Sequence, residues 1–472
     1  MVFSAVEFLY FFLPGVLLVH LVAPQRLRNL VILAASVVFA GWGGATVLAI
    51  LATSVAVDYV AGWFVATARR RGDHRRVRLG LAVSVLANLG LLGWFKYANF
   101  FVDQLQSMGV GPSIWRDVGL PLGISFFTFQ SMSYTIDVAR GRVNHLANPL
   151  DFALYVTLFP QLVAGPIVRY HELAGEIRTR TVTAEGFADG ALRFVHGLGK
   201  KVIVADAIAP IADAGFAIGG DDRGIVVAWI AVLAYTMQIY FDFSGYSDMA
   251  IGLGLMLGFH FPENFKRPYS AVSVTDFWRR WHITLSNWFR DYLYIPLGGS
   301  QDGRFRTVLN LIIVFAVTGL WHGAAWTFVL WGGYHGLVLL VERFSGTRHV
   351  DTVSHEWFSR ARTLLLVVIG WVLFRADGLD SAVGMYRAMA GLEGVGTLDP
   401  SVMGLSGRSA VVFALAMLVV LLPRNLVIGP ALTMPELRFI TPVRLAVMGL
   451  VLPYALLRVT GSSFSPFLYY QF

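Results

Sequence analysis

The chain has 472 residues, of which 56% are hydrophobic, 14% aromatic and only 14% charged, where a soluble domain carries roughly 25% charged residues. With a mean hydropathy of +0.63, that balance excludes a soluble globular protein and points to a chain embedded in a bilayer. The absence of cysteine excludes disulfides, thiol nucleophiles and thiolate metal sites, and the net charge of +8 lies in short loops between apolar stretches rather than on a basic face suited to nucleic acid.

Taken from the start, Met1 to Ala23 is apolar, with no basic n-region and no small-residue cleavage site before Pro24, and reads as a retained first span. A span needs about 20 mainly apolar residues. On that criterion further candidates lie near 28–44, 46–66, 79–101, 118–137, 150–166, 199–217, 224–242, 246–261, 308–321, 324–342, 362–375, 408–422 and 443–460. Several are short, which leaves roughly eleven to thirteen crossings, and the Gly- and Pro-broken 118–137 and 150–166 read as re-entrant or tilted.

Arg69, Arg70, Arg71, Arg75, Arg76 and Arg78 crowd one short loop and place it in the cytoplasm. Gly219 to Arg223 and Gly391 to Ser406 are polar loops without a motif. No internal repeat is visible, so an inverted-repeat transporter has no support. The expected fold is an all-α polytopic membrane protein forming a single embedded domain over residues 1–472, with the motif-bearing part at about 118–345 and additional C-terminal spans in 376–472.

Pro262 to Gly299 is too polar to span and too aromatic for an ordinary loop. Ser273 followed by Asp276 is a capping-box pattern, and the periodicity beyond it predicts one amphipathic helix lying in the membrane interface. Trp278, Trp281, Leu285, Trp288, Phe289 and Tyr292 fall on one arc, with Arg279, His282, Ser286 and Arg290 on the adjoining one. Such a helix is either an interfacial anchor or a wall presenting arginines to an anionic ligand, since Arg holds phosphate in bidentate fashion.

From Leu309 to Val341 no Asp, Glu, Lys or Arg occurs, yet His322 sits in that run, within Gly-Leu-Trp-His-Gly at residues 319–323. An ionisable side chain at such depth is costly and by default functional. Neutral imidazole suits removal of a proton from an attacking hydroxyl, and Trp321 and Trp326 offer flat walls. The alternative is a core histidine bonded to a neighbouring helix. His335 lies thirteen residues on, roughly 20 Å along a continuous helix, and reads as structural unless the chain turns back. Gln238, Asp242, Ser244, Ser247 and Asp248, like Gln161 and Arg169, either line a passage or bond between helices. No nucleophile elbow, zinc motif, P-loop or dinucleotide fingerprint is present, and metal catalysis has no support.

Several long segments carry a resemblance. They are FPQLVAGPIVRY at 159–170, MQIYFDFSGYSDMAIGLGLMLGFHFPENFKRPY at 237–269, DFWRRWHITLSNWFRDYLYIPLGG at 276–299 and GLWHGAAWTFVLWGGYHG at 319–336. With the opening MVFSAVEFLYFFLP, the chain resembles the membrane-bound O-acyltransferase (MBOAT) superfamily, in its bacterial alginate O-acetyltransferase branch. The resemblance implies a ring of membrane helices around a central tunnel with interfacial amphipathic helices, in the bacterial cytoplasmic membrane. It makes His322 the proton acceptor or acyl relay and His282 a second tunnel histidine. Arg279, Trp281, Arg290, Asp291, Trp321, Trp326, Asn264 and Gln161 become donor-binding or tunnel-lining residues.

It further implies no bound cofactor, acetyl-CoA or an acyl carrier protein thioester as donor, and glycan-export machinery with an extracytoplasmic SGNH-type acetyltransferase as partners. The rival readings are transfer of D-alanyl, or acylation of a lipid or protein, and, from another class, transport of a polysaccharide precursor.

Overall fold

The computed structural model describes residues 1–112, 114–219, 223–347, 356–396, 399–422, 440–461 and 467–468, so the predicted loop 219–223 and the end of the 391–406 loop's first half fall partly outside the described residues. The chain forms two compact units, Met1–Phe194 with Met249–Pro262 and Val195–Asp248 with Glu263–Phe472. No strand occurs among the described residues. Among the described residues, six helices are long and apolar enough to cross a membrane, Ala45–Arg70, His74–Ser107, Ile225–Met256, Gly303–His322, Glu356–Arg375 and Pro442–Gly461, with shorter apolar helices at Phe8–Val22 and Gly407–Val420. The protein is therefore all-α and polytopic, as its composition requires.

The first unit begins with α1 (Leu13–Val22), α2 (Arg28–Gly41), α3 (Ala45–Arg70), α4 (His74–Leu92) and, after a π-helical turn, α5 (Ala98–Ser107). It continues with α6 (Ile124–Arg140), α7 (Pro149–Thr157), α8 (Phe159–Leu162), α9 (Tyr170–Arg178) and the start of α10 (Ala184–Gly199). The basic loop closes a tight hairpin: Gly72 takes φ +69°, and the Asp73 carboxylate caps α4 by accepting from the backbone N–H groups of Arg75 and Arg76 at 3.1 and 3.0 Å. Asp58 of α3 is fully buried and accepts from Ser84 and Asn88 of α4 and Thr135 of α6. A carboxylate inside apolar helices is stable only with such partners, and this one ties three helices together.

The second unit contains the end of α10, a π-helical segment Lys200–Ala205, α11 (Asp206–Ala217) and most of α12 (Ile225–Met256). The sequence reads two spans where α12 is one helix. Gly245, which looks like a break, instead permits close packing, because a Cβ there would lie 2.8 Å from the Gly197 carbonyl oxygen. The chain leaves the helix only at Gly258, with φ +84°.

After it come α13 (Val274–Trp278), α14 (Ile283–Phe289), a π turn Arg290–Tyr294, α15 (Gly303–His322), α16 (Trp326–Phe344), α17 (Glu356–Arg375) and α18 (Leu379–Met389). Then follow α19 (Gly407–Leu421), α20 (Ile440–Ala446) and α21 (Leu452–Gly461).

The continuous amphipathic helix predicted beyond Ser273 is not formed. Ser273 caps α13 as expected, its hydroxyl accepting from the Asp276 N–H at 3.0 Å, but α13 ends after five residues and His282 adopts the left-handed region at φ 45° before α14 begins. A left-handed residue cannot continue a right-handed helix, so the predicted aromatic arc is cut in two. Its rings are protein core rather than lipid anchors: Trp278, Trp281, Trp288, Phe289 and Tyr292 are all buried.

The helical hairpin of α15 and α16 is set by glycines. A Cβ on Gly319 would lie 2.3 Å from the Phe328 carbonyl oxygen, and one on Gly332 would lie 2.3 Å from that of Phe315. Gly333, one position on, has nothing within 4 Å. Gly332→Ala is expected to lower the thermal midpoint of the detergent-purified protein, by the about 1–3 kcal/mol of an overpacked contact. Gly333→Ala should leave it unchanged or raise it, and equal midpoints would refute the close-packing role.

Candidate functional site

His282 and Asn264 are the centre of the second unit's polar interior. The His282 ring is fully buried, and its Nδ1 lies 3.1 Å from the Asn264 Oδ1. The same oxygen accepts from the Thr284 backbone N–H at 3.2 Å and from the Thr284 hydroxyl at 2.9 Å. A backbone N–H can only donate, so this atom is the carbonyl oxygen and His282 Nδ1 carries the proton. The lone pair then resides on Nε2. On its other side Asn264 Nδ2 donates to the Ser247 hydroxyl of α12 at 3.0 Å. The Asn264 backbone carbonyl also accepts the Ile283 N–H at 3.0 Å, so the asparagine caps α14 where His282 breaks the chain direction.

His322 is the last residue of α15 and is buried. It sits among aromatic rings, with centroid separations of 5.0 Å to Trp321, 5.0 Å to Trp331 and 5.1 Å to Phe374. The Trp321 ring also lies 6.0 Å from that of His282, so one indole touches both histidines. A Cβ on Gly323 would lie 2.1 Å from the Phe328 ring, which is why the residue after His322 is glycine. The chain turns back at residues 323–325, and His335 of α16 consequently shares Trp331 with His322, at 5.1 Å from that ring. His335 is fully buried, and its two ring nitrogens have no hydrogen-bond partner among the described residues.

Beside this aromatic layer lies a groove of about 430 Å³ between α13–α14 and the α15–α16 hairpin. Arg279, Ser286, Arg290 and Arg343 supply polar groups to it, and Trp278, Leu311, Val314, Phe315 and Thr318 supply apolar wall. Trp278 stands between groove and histidines, 5.7 Å from Trp331 and 5.3 Å from His335. The predicted Arg and His arc is thus divided: Arg279, Ser286 and Arg290 line the groove, whereas His282 turns to Asn264 and is not part of its lining.

The remaining predicted residues fall in different places. Asp291 pairs with Arg290 at 2.7 Å. Trp281 is core, 5.1 Å from Phe265 and 4.9 Å from Trp371. Trp326 is the first residue of α16 and is half exposed. Gln161 belongs to the first unit, where its Nε2 donates to the Tyr155 carbonyl at 2.6 Å.

Sequence reasoning missed the residues that hold these groups in position. Glu342, at the end of α16, accepts from the Val274 and Thr275 N–H groups at 2.6 and 2.9 Å and from the Thr275 hydroxyl at 2.9 Å, and so caps α13. The polar stripe of α12 is answered by consecutive lysines: Lys200 to Asp248 at 2.6 Å and Lys201 to Asp242 at 2.9 Å. The signal for the lysines was a pair of acidic groups inside an apolar helix with basic residues in the preceding segment; for Glu342 it was only a lone carboxylate at the end of an apolar helix.

The fold is that of a polytopic helical membrane protein, and it carries two buried histidines beside an arginine-bearing groove. The chain belongs to the membrane-bound O-acyltransferase family, whose sequence model matches residues 80–375, and it is an O-acyltransferase. It is 42% identical, over all of both chains, to a Pseudomonas putida protein named "Probable alginate O-acetylase AlgI". It is also similar to the peptidoglycan O-acetyltransferase of Helicobacter pylori, 36% identical over 84% of this chain and 81% of that one. To the teichoic acid D-alanyltransferase of Bacillus subtilis it is 28% identical over 52% of this chain and 65% of that one.

Burial holds the His282 imidazole far below its ordinary value, at about 3. Between that value and about 6.5 the unfolded chain binds a proton there that the folded chain refuses, so folding is disfavoured as pH falls through this window and unaffected above it. The thermal midpoint of the wild type should therefore decline from pH 6.5 to 4.5 more steeply than that of His282→Gln. Parallel declines would show that His282 is not the group refusing the proton.

Proposed function

We propose that this protein is an O-acetyltransferase of the bacterial cytoplasmic membrane. It takes acetyl from a cytoplasmic thioester, acetyl-CoA or a loaded acyl carrier protein, and delivers it to a hydroxyl of a secreted or cell-surface polysaccharide. Delivery is direct or through an exported SGNH-type transferase working beside glycan-export machinery. The observation that carries the reading is the face of α15: Leu311, Val314, Phe315 and Thr318 line the groove, and His322 follows Thr318 by four residues, one turn further on the same face.

Arg304 and Arg306 at the start of α15 and Arg343 at the end of α16 support a cytoplasmic placement of that end of the hairpin. A donor's phosphates held by Arg279, Arg290 and Arg343 would then lie on the side from which the donor comes. Its acyl end would point up the helix toward the histidines.

In the reaction a neutral imidazole removes the proton from the acceptor hydroxyl as its oxygen forms a bond to the thioester carbonyl carbon. The tetrahedral intermediate collapses with loss of the C–S bond, and the departing thiolate recovers the proton. His322 is assigned the proton acceptance, with His282, its tautomer fixed by Asn264, beside it across Trp321. Acetyl is favoured over D-alanyl because the relatives matched over most or all of their length are named for O-acetylation, whereas the D-alanyl relatives match over about half of this chain.

Wild-type and His322→Ala protein, purified in detergent and shown by size exclusion to be folded, should differ in transfer from radiolabelled acetyl-CoA or acetyl-loaded carrier by about 10²–10⁴-fold. Undiminished transfer by folded His322→Ala would end the proposed role, and turnover of D-alanyl carrier alone would redirect the substrate. Arg279→Gln with Arg290→Gln should raise the donor KM about tenfold while sparing kcat, as loss of a charge-assisted contact remote from the reacting carbon requires.

A further inference from the structure

A second cleft, of about 410 Å³, lies in the first unit where the chain between α1 and α2 meets the start of α7 and the end of α9. Four arginines, Arg26, Arg28, Arg178 and Arg180, line it, and Asp151 is the one carboxylate among its lining residues. Asp151 is engaged, accepting from Asn29 Nδ2 at 2.9 Å. Arg180 is only 9% exposed, with Nε donating to the Leu257 carbonyl at 3.0 Å and Nη1 to Asn29 Oδ1 at 2.5 Å and its guanidinium 4.3 Å over the Phe259 ring, but its Nη2 is buried with no hydrogen-bond partner among the described residues. Burial and the neighbouring Arg28 charge pull this guanidinium down to about 10, against the opposing pull of Asp151 and Glu176. A buried donor beside an excess of positive charge is costly unless an anion completes it.

We infer that this cleft binds a phosphate-bearing anion, with the Arg180 guanidinium as its buried anchor and Arg26, Arg28 and Arg178 as its rim. Arg presents paired N–H groups that match phosphate oxygens, and the volume exceeds that of a bare phosphate. Leu27, Leu30 and Ile177 continue the lining with apolar surface. The cleft lies toward the basic end of α3, since a three-residue connection at 42–44 reverses the chain between α2 and α3 and the cleft is lined by the first turn of α2. Two sources supply the same chemistry there: the headgroup of an anionic phospholipid in the inner leaflet, or a soluble phosphate compound.

The experiment uses the full chain in detergent. Thermal midpoint and native mass spectra are recorded with phosphatidylglycerol against phosphatidylcholine, and separately with sodium phosphate against sodium chloride at equal ionic strength. Stabilisation by phosphatidylglycerol alone identifies the lipid, and stabilisation by phosphate alone identifies a soluble ligand; either supports the site when the apparent affinity falls about tenfold or more in the Arg28→Gln/Arg178→Gln double variant. Those two side chains are at least partly exposed, so the double variant keeps the test decisive where Arg180→Met fails to fold. No stabilisation by either probe, or equal stabilisation of wild type and double variant, overturns the inference. Acyl transfer is not read, so the outcome is independent of the role of His322.

Discussion

A polar side chain inside a membrane protein must find its partners within the protein, because no water is there to supply them. The Asn264 amide meets that demand for a whole neighbourhood. Its oxygen takes three donors and its nitrogen gives one hydrogen bond, joining α12, His282 and the start of α14. The rest of the second unit's arrangement follows from this. Receiving the His282 N–H requires the histidine to leave the helical path, and its left-handed φ of 45° costs of order 1 kcal/mol or more for a residue with a Cβ. That turn separates α13 from α14. It leaves Arg279 and Arg290 facing the groove while the imidazole faces the core, with its unprotonated nitrogen chosen by the amide rather than by solvent.

The same demand explains the ion pairs. Asp242 and Asp248 on α12 would each be untenable alone in apolar surroundings, and the consecutive lysines of the π-helical segment reach both. Two adjacent residues on a regular helix point about 100° apart; the π-helical backbone at Lys200–Ala205 is where the pair meets acidic groups six positions apart on the neighbouring helix. In the first unit Asp58 is held by neutral donors from two helices instead, which joins α3, α4 and α6 without adding a charge.

Much of this was legible beforehand. Composition gave the membrane setting, the arginine run marked the tight turn between α3 and α4, and the depth of His322 with its glycine flanks singled out a residue that the fold surrounds with three aromatic rings. The Ser273 cap was visible as a local pattern. What could not be read was anything set by a partner distant in sequence. The break at His282 depends on Asn264, eighteen residues earlier. The reason for a glycine at 245, the close approach of the Gly197 carbonyl, lies a helix away. Periodicity alone described the 278–292 segment as one amphipathic helix because its apolar spacing is helical on both sides of the turn. His335 could be joined to His322 only once the hairpin between them was known.

Glu342 ties α13 to the end of α16, and the glycine contacts tie α16 to α15, so three walls of the groove form one stiff frame. The fourth wall is built differently. It is α14 running into the π turn Arg290–Tyr294, where the backbone carries one residue more per turn than its neighbours need. The groove is thus unevenly built: its α14 wall ends in a π turn carrying Arg290 and Tyr294, whereas the wall that leads up to His322 is a hairpin locked by glycine contacts.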